Sequence, residues 1–173
     1  MRRFVIILVI LAAMLLSHAV AGEGDESRRG ALEAEIVRLV AEKDDALRDF
    51  YAARGYRPAW QERQQVAAFA EALEILENDG LEPRDYRADR LVAEHRRLKE
   101  GNVAPTEQAG FDLQTSRLLL TALRHLQRGR LDPRRVDPEW EIPVEPARLD
   151  LAAVSRAVDG QRFEQAFGEA RPD

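Results

Sequence analysis

The spacing of the apolar residues is the feature that most constrains this fold. Beyond residue 30, apolar side chains recur at intervals of three and four, in segments separated by glycine and proline. This interval matches the 3.6-residue period of an α-helix, whereas a half-buried strand needs strict alternation, and no run of period two occurs. We therefore predict an all-α fold with a single helical-bundle domain, which a chain of 173 residues can accommodate.

Five helices are predicted from this period, each bounded by a cap or by a helix-breaking residue. They cover Ala31–Ala53, Gln61–Asn78, Ala88–Lys99, Glu107–Gln127 and a last segment that starts at Asp150. Gly80 is suited to a left-handed cap after the second helix, and Thr106 to the N-cap of the fourth. Between the fourth and last helices, four prolines exclude regular helix.

The C-terminal segment is predicted to be incompletely covered. Phe163 and Phe167 lie one helical turn apart, but the six residues that follow are mostly polar. We expect these two rings to stay half-exposed, as they would in a domain truncated at its C-terminus.

The N-terminus has the pattern of an export signal. Two arginines precede thirteen apolar residues, Phe4–Leu16, and Ala19–Ala21 matches the small-x-small site of signal peptidase. We predict a signal peptide over 1–21 and a flexible linker over 22–30. The alternative is an uncleaved anchor, because the apolar stretch reaches the lower limit of about 18 residues for a bilayer span. The periplasm is the predicted location, with membrane attachment only if the signal is uncleaved.

Composition removes several function classes. The chain has no cysteine, which excludes disulfides, thiolate metal sites and thiol nucleophiles, and its net charge of −5 disfavours nucleic-acid binding. His95 and His125 lack an acidic partner one turn away, so we interpret both as structural or surface residues. No phosphate-binding, dinucleotide-binding or zinc-protease motif is present. We predict no catalytic residue, no cofactor and no metal site.

Two further features allow a functional and a structural interpretation. Trp140 lies between Glu139 and Glu141, which could indicate a sugar site, but a tryptophan ring packed on the bundle is the favoured interpretation. A basic cluster near the end of the fourth helix could bind an anionic wall polymer or an acidic partner. The alternative, which we favour, is that it stabilises the helix C-terminus. The cluster comprises Arg124, Arg128, Arg130, Arg134 and Arg135.

Three short segments combine a helix-ending glycine or proline with an apolar anchor. They end the first helix, turn after the second and follow the fourth. Their structural residues are Phe50, Tyr51, Arg54, Tyr56, Pro58 and Trp60 in the first motif, Gly80, Leu81, Pro83 and Tyr86 in the second, and Gly129, Arg130, Asp132 and Pro133 in the third.

The first motif should turn the chain back on itself. Gly55 and Pro58 are expected to bring Tyr56 and Trp60 onto the first helix, and the second motif should do the equivalent for the second helix.

In this order and at these spacings, the motifs resemble the helical scaffold domain of periplasmic murein L,D-transpeptidases. The resemblance covers roughly residues 31–173 and implies a role in peptidoglycan cross-linking, which those enzymes perform through a cysteine thioester. Because the chain lacks the cysteine motif, no catalytic residue is carried over and no enzyme activity is predicted. The implied partners are a transpeptidase catalytic domain or other wall-synthesis proteins, and peptidoglycan is a further candidate. The alternative is an independent periplasmic helical binding protein or chaperone.

Overall fold

A computed structural model describes residues 26–101, 103–130, 139 and 148–172. These residues form seven α-helices and no strand, which confirms the all-α prediction. The helices are α1 (26–40), α2 (Asp45–Ala53), α3 (Arg63–Ile75), α4 (Ala88–Glu100), α5 (Pro105–Arg128), α6 (Leu151–Asp159) and α7 (Phe163–Ala170). Short 3₁₀ turns at Leu76–Asp79 and Pro83–Tyr86 connect α3 to α4.

The long helix α5 is the centre of the bundle, as its apolar sequence predicts. Helices α2, α4 and α7 contact it, while α3 packs against α4 and α7, and α6 packs against α2 and α7. The apolar part of its buried face consists of Ala109, Phe111, Leu113, Leu119, Leu120, Ala122, Leu123 and Leu126.

The prediction of one continuous first helix is wrong. The chain turns at 41–44, and Asp44 caps α2 by accepting a hydrogen bond from the Leu47 amide at 3.1 Å. An aspartate side chain that caps the helix after it interrupts the helix before it. The apolar residues therefore keep a helical spacing on both sides of the break. Residues 26–30, expected in the flexible linker, are instead helical and exposed, because Glu26, Ser27 and two arginines are compatible with a helix.

Of the two predicted helix caps, Gly80 is confirmed and Thr106 is wrong. Gly80 adopts a left-handed conformation with φ 73°, and Asp150 caps α6 through the Ala153 amide at 2.9 Å. Helix α5 begins one residue before Thr106, with Ala104 as its N-cap and Pro105 in its first turn. Proline is favoured there because its missing N–H would have no helical partner.

The expected open face at the C-terminus is also wrong. Phe163 is 1% exposed and Phe167 2% exposed. Phe163 reaches two aromatic rings from distant parts of the chain, at 5.6 Å from Trp60 and 5.3 Å from Phe69 between ring centroids. Helices α3, α5 and α6, which contact α7, all precede it in the chain, so its apolar cover comes from residues other than the polar ones that follow it.

Several predicted features lie outside the described residues. They are the 1–21 signal segment, Asp132, Pro133, Arg134, Arg135, Trp140 and Glu141. Within the described residues, none of the helices combines the length and apolar character that crossing a bilayer would require.

Candidate functional site

The first motif converges on a buried carboxylate of α5. Asp112 accepts hydrogen bonds from the Tyr51 hydroxyl at 2.6 Å and from the amides of Ala59 and Trp60 at 2.9 and 3.0 Å. One turn later, Ser116 accepts from the Trp60 indole N–H at 2.9 Å. Since the Tyr51 proton is directed to Asp112, the Ser116 hydroxyl donates to Tyr51 across 2.9 Å. This cluster, the Asp112 hub, fastens α2 and the loop after it to α5.

The loop reaches the hub through two consecutive left-handed residues. Gly55 has φ 61° and Tyr56 has φ 60°, and the Tyr56 amide donates to the Tyr51 carbonyl at 2.8 Å. Glycine takes this conformation without a Cβ penalty, whereas tyrosine does so at a cost. Tyr56 itself is 38% exposed, so unlike Trp60 it is not part of the buried core.

Trp60 is a buried anchor, but its partners differ from those expected. Its ring is 1% exposed and lies 4.9 Å from Phe69 of α3 and 5.6 Å from Phe163 of α7, between centroids. The chain therefore carries the Trp60 ring into the bundle interior, where it stacks on α3 and α7 and shares the Ser116 hydroxyl with Tyr51 of α2.

Arg54 of the first motif links α2 to α6. Its guanidinium donates to the Ser155 carbonyl and hydroxyl at 3.2 and 3.0 Å, to the Pro58 carbonyl at 3.2 Å, and to Asp159 at 2.7 Å. Because the side chain is 3% exposed, these bonds compensate for removing its charge from water. Phe50 lies beneath it, with the guanidinium carbon 5.6 Å from the ring centroid.

The second and third motifs meet at another corner of the bundle, which we call the Asp79–Arg130 corner. Buried Tyr86 contacts His125 of α5, with the hydroxyl 2.8 Å from Nδ1, and Arg130 pairs with Asp85. Arg171, beyond α7, donates to both carboxylate oxygens of Asp79 at 2.6 and 2.7 Å. Also here are buried Leu81, half-buried Pro83, and Gly80 and Gly129, both with positive φ.

Burial determines the electrostatics of both regions. Removal from water raises the pKa of Asp112, against the lowering effect of the Tyr51 and backbone hydrogen bonds. Burial and, to a smaller extent, the nearby charge of Asp112 raise the pKa of Tyr51 well above its usual value. Burial lowers the pKa of His95 and that of His125, where the positive charges of Arg130 and Arg124 act in the same direction.

This geometry is structural. The carboxylate of Asp112 and the hydroxyls of Tyr51 and Ser116 are buried and bound to one another or to backbone, so none can reach a substrate. The described residues contain no group of histidines and carboxylates able to hold a metal ion. Of the predicted basic cluster, Arg130 pairs with Asp85 and Arg124 contacts Thr121 at 3.4 Å.

Several residues essential to this arrangement were missed in the sequence. Asp112 and Ser116 lie one turn apart and share the buried stripe of α5 with Leu119 and Leu123, so a polar pair on an apolar face was the available signal. Ser155 and Asp159 carried no such signal, because only the folded chain brings α6 to Arg54.

Comparison with known proteins gives one family. A family model described as "Scaffold domain" matches residues 45–173, about three quarters of the chain, and this range includes all three motifs. The chain belongs to this scaffold domain family. The match confirms the resemblance to the scaffold domain of L,D-transpeptidases, and no catalytic domain is matched. No curated protein and no solved structure matches the chain. Helix α1 lies outside the matched range of this scaffold domain.

Proposed function

We propose that this scaffold domain is a non-catalytic module of peptidoglycan L,D-transpeptidation in the periplasm. In this role it packs against a transpeptidase catalytic domain or another wall-synthesis protein. The family match over residues 45–173 is the observation that carries the proposal. The geometry supports it, because the first motif is used for internal packing and hydrogen bonding and offers no reactive group.

The chemistry of the reaction also supports a non-catalytic role. A thioester mechanism needs a cysteine thiolate, and the sequence contains none. A transpeptidase that uses this domain must therefore obtain its nucleophile from a different domain or polypeptide. The contribution left to the scaffold is to position that domain or to recruit a partner.

A reaction assay tests the absence of catalysis. Carbapenems acylate the catalytic cysteine of these enzymes, so the purified chain should gain no mass with a carbapenem and release no D-Ala from a stem tetrapeptide. An L,D-transpeptidase catalytic domain from the same organism, assayed in parallel, should do both. A stoichiometric adduct on this chain would contradict the proposal.

A binding assay tests the scaffold role. We expect the chain to form a complex with that catalytic domain, and a catalytic-domain reading frame immediately downstream of its gene would support the pairing. Absence of binding, together with suppression of aggregation of unrelated unfolded proteins, would instead favour an independent periplasmic chaperone.

The cellular location is tested by mass spectrometry, because the intact mass of the exported protein should begin at Gly22. Recovery only from membranes with Met1 retained would show an uncleaved anchor.

A further inference from the structure

A large surface concavity lies away from the Asp79–Arg130 corner. It is a groove of about 1,080 Å³ bordered by α1, the loop after α2, and the α4–α5 connection. This volume is at the upper limit of small-molecule pockets, which span roughly 300–1,000 Å³. It is therefore better matched to a short segment of polypeptide than to a metabolite. We call it the α1 groove.

Cations without carboxylate partners line this groove. Arg28 and Arg29 of α1 form no ion pair among the described residues, and Arg57 uses only its Nε atom, which donates to the Arg54 carbonyl. Lys99 contacts a neutral amide, the Gln61 side chain at 3.2 Å. These four cations exceed the three lining carboxylates that are free of ion pairs, although the whole chain carries a net charge of −5. Guanidinium groups bind carboxylates through paired hydrogen bonds, so three arginines here favour an acidic ligand.

The remaining lining groups favour a peptide among acidic ligands. Glu33, Glu100 and the amides of Gln61 and Gln108 provide hydrogen-bond acceptors in the same groove. An extended peptide backbone supplies N–H donors for such acceptors at regular spacing, whereas a phosphodiester group brings only further acceptors. Carboxylate side chains of a peptide could therefore meet the arginines while its backbone meets the acceptors.

The inner end of the groove contains an unsatisfied polar atom. A cavity of about 20 Å³ shares Gln61, Lys99 and Gln108 with the groove and is also lined by His95. The His95 side chain is buried, and its Nε2 atom has no hydrogen-bond partner of good geometry, although the backbone of Gln61 and of Trp60 acts to raise the pKa of this histidine against the effect of burial. A buried nitrogen left without a partner is costly, and this cavity has room for one water or one small polar group.

From these observations we propose that the α1 groove binds an extended acidic peptide segment of a partner protein, with His95 at its inner end. Helix α1 supplies one wall although it lies outside the matched family range, so the groove is a property of this chain in addition to the shared domain. The proposal does not depend on the cellular process that the domain serves.

Peptide titration tests the proposal. The probes are a dye-labelled octapeptide of alternating Glu and Ala and its Gln/Ala counterpart, titrated by fluorescence anisotropy into the chain purified after export. The Glu peptide should bind at least about tenfold more tightly, and added salt should weaken it. Arg28→Gln/Arg29→Gln/Arg57→Gln should reduce its affinity about tenfold. Arg84→Gln/Arg90→Gln/Arg96→Gln, which changes net charge equally outside the groove, should leave it within about twofold.

The histidines provide a second readout that is independent of net charge. Binding of the Glu peptide should shift the ¹⁵N resonance of His95 Nε2 and leave His125, which does not line the groove, unchanged. Equal losses in the two triple variants would show general charge attraction and overturn the proposal. So would absence of binding at about 1 mM peptide, or binding of anionic lipid vesicles without binding of the peptide.

Discussion

The Asp112 hub and the Asp79–Arg130 corner both contain residues of the three sequence motifs, yet they differ in their contact with water. In the hub, Tyr51, Trp60 and Asp112 are each at most 1% exposed. At the corner, the side chains of Arg171 and Asp79 are 37% and 21% exposed, and those of Arg130 and Asp85 are 50% and 36% exposed. Equally well-formed hydrogen bonds therefore have different energetic consequences in the two regions.

The physical reason is the cost of leaving a group unpaired. A buried donor or acceptor that loses its partner is not rescued by water, which costs about 1–3 kcal/mol for a neutral group and more for a charged one. When an exposed ion pair is broken, water hydrates both charges, so the pair contributes only about 0–1 kcal/mol to the free energy of unfolding. We therefore expect the first motif to hold the fold and the exposed ion pairs of the corner to contribute little to its stability.

The largest expected effect is at Trp60. Trp60→Ala should lower the free energy of unfolding by about 3–5 kcal/mol, because it empties the centre of a buried aromatic cluster. The matched variant Tyr56→Ala changes an exposed aromatic of the same motif and should stay within about 0.5 kcal/mol. Denaturant melts measure both. Similar losses would contradict the distinction between buried and exposed positions within the motif.

Asp112→Asn should have the next largest effect, about 3 kcal/mol. The change preserves shape but directs an NH₂ group towards backbone donors that the carboxylate now binds. Asp89→Asn, at an exposed carboxylate on α4, is the control and should cost at most about 0.5 kcal/mol. If Asp112→Asn left the free energy of unfolding unchanged, water would be able to replace the carboxylate.

A smaller, pH-dependent effect is expected from His95. Burial lowers its pKa in the folded state, so the unfolded chain takes up a proton first as the pH falls below about 6.5, and stability decreases. The loss at pH 5.5 is at most about 1.4 kcal/mol from this residue. Melts of the parent and of His95→Gln at pH 7.5 and 5.5 measure it.

Two neighbouring effects can be separated in that experiment. Lys99 opposes protonation of His95, and Glu62 favours it. Asp112 has a raised pKa and so acts in the opposite direction, stabilising the folded state as the pH falls. If His95→Gln shows the same decrease between pH 7.5 and 5.5 as the parent, His95 is not its source.

The smallest effect is expected at the corner. Arg171→Gln should cost no more than about 1 kcal/mol, since its pair with Asp79 is partly exposed, and high salt should reduce the difference. A double-mutant cycle with Asp79→Asn isolates the pair. A coupling energy as large as the cost of Asp112→Asn would remove the contrast between the two regions.

The features predicted correctly are those that depend on neighbours in sequence. The helical class, the cap at Gly80 and the start of the last helix at Asp150 depend on residues within a turn or two. The break at Asp44 was also local, but a continuous apolar period concealed it. In the first motif, Tyr51, Arg54 and Trp60 were among the predicted structural residues, while Asp112 was missed among the leucines of α5.

The amino-acid sequence alone was sufficient for the α-helical class, the central position of α5 and the absence of cysteine. These follow from a 3.6-residue period and from composition, which need no tertiary information. Tertiary packing decided which groups the residues of the first motif contact: Trp60 contacts Phe163, Tyr51 contacts Asp112, and Arg54 contacts Ser155 and Asp159. The two residues of each pair lie 61 to 105 positions apart in the sequence, so no local spacing reveals them. Their hydrogen bonds and ring contacts form in a buried environment that exists only in the folded chain.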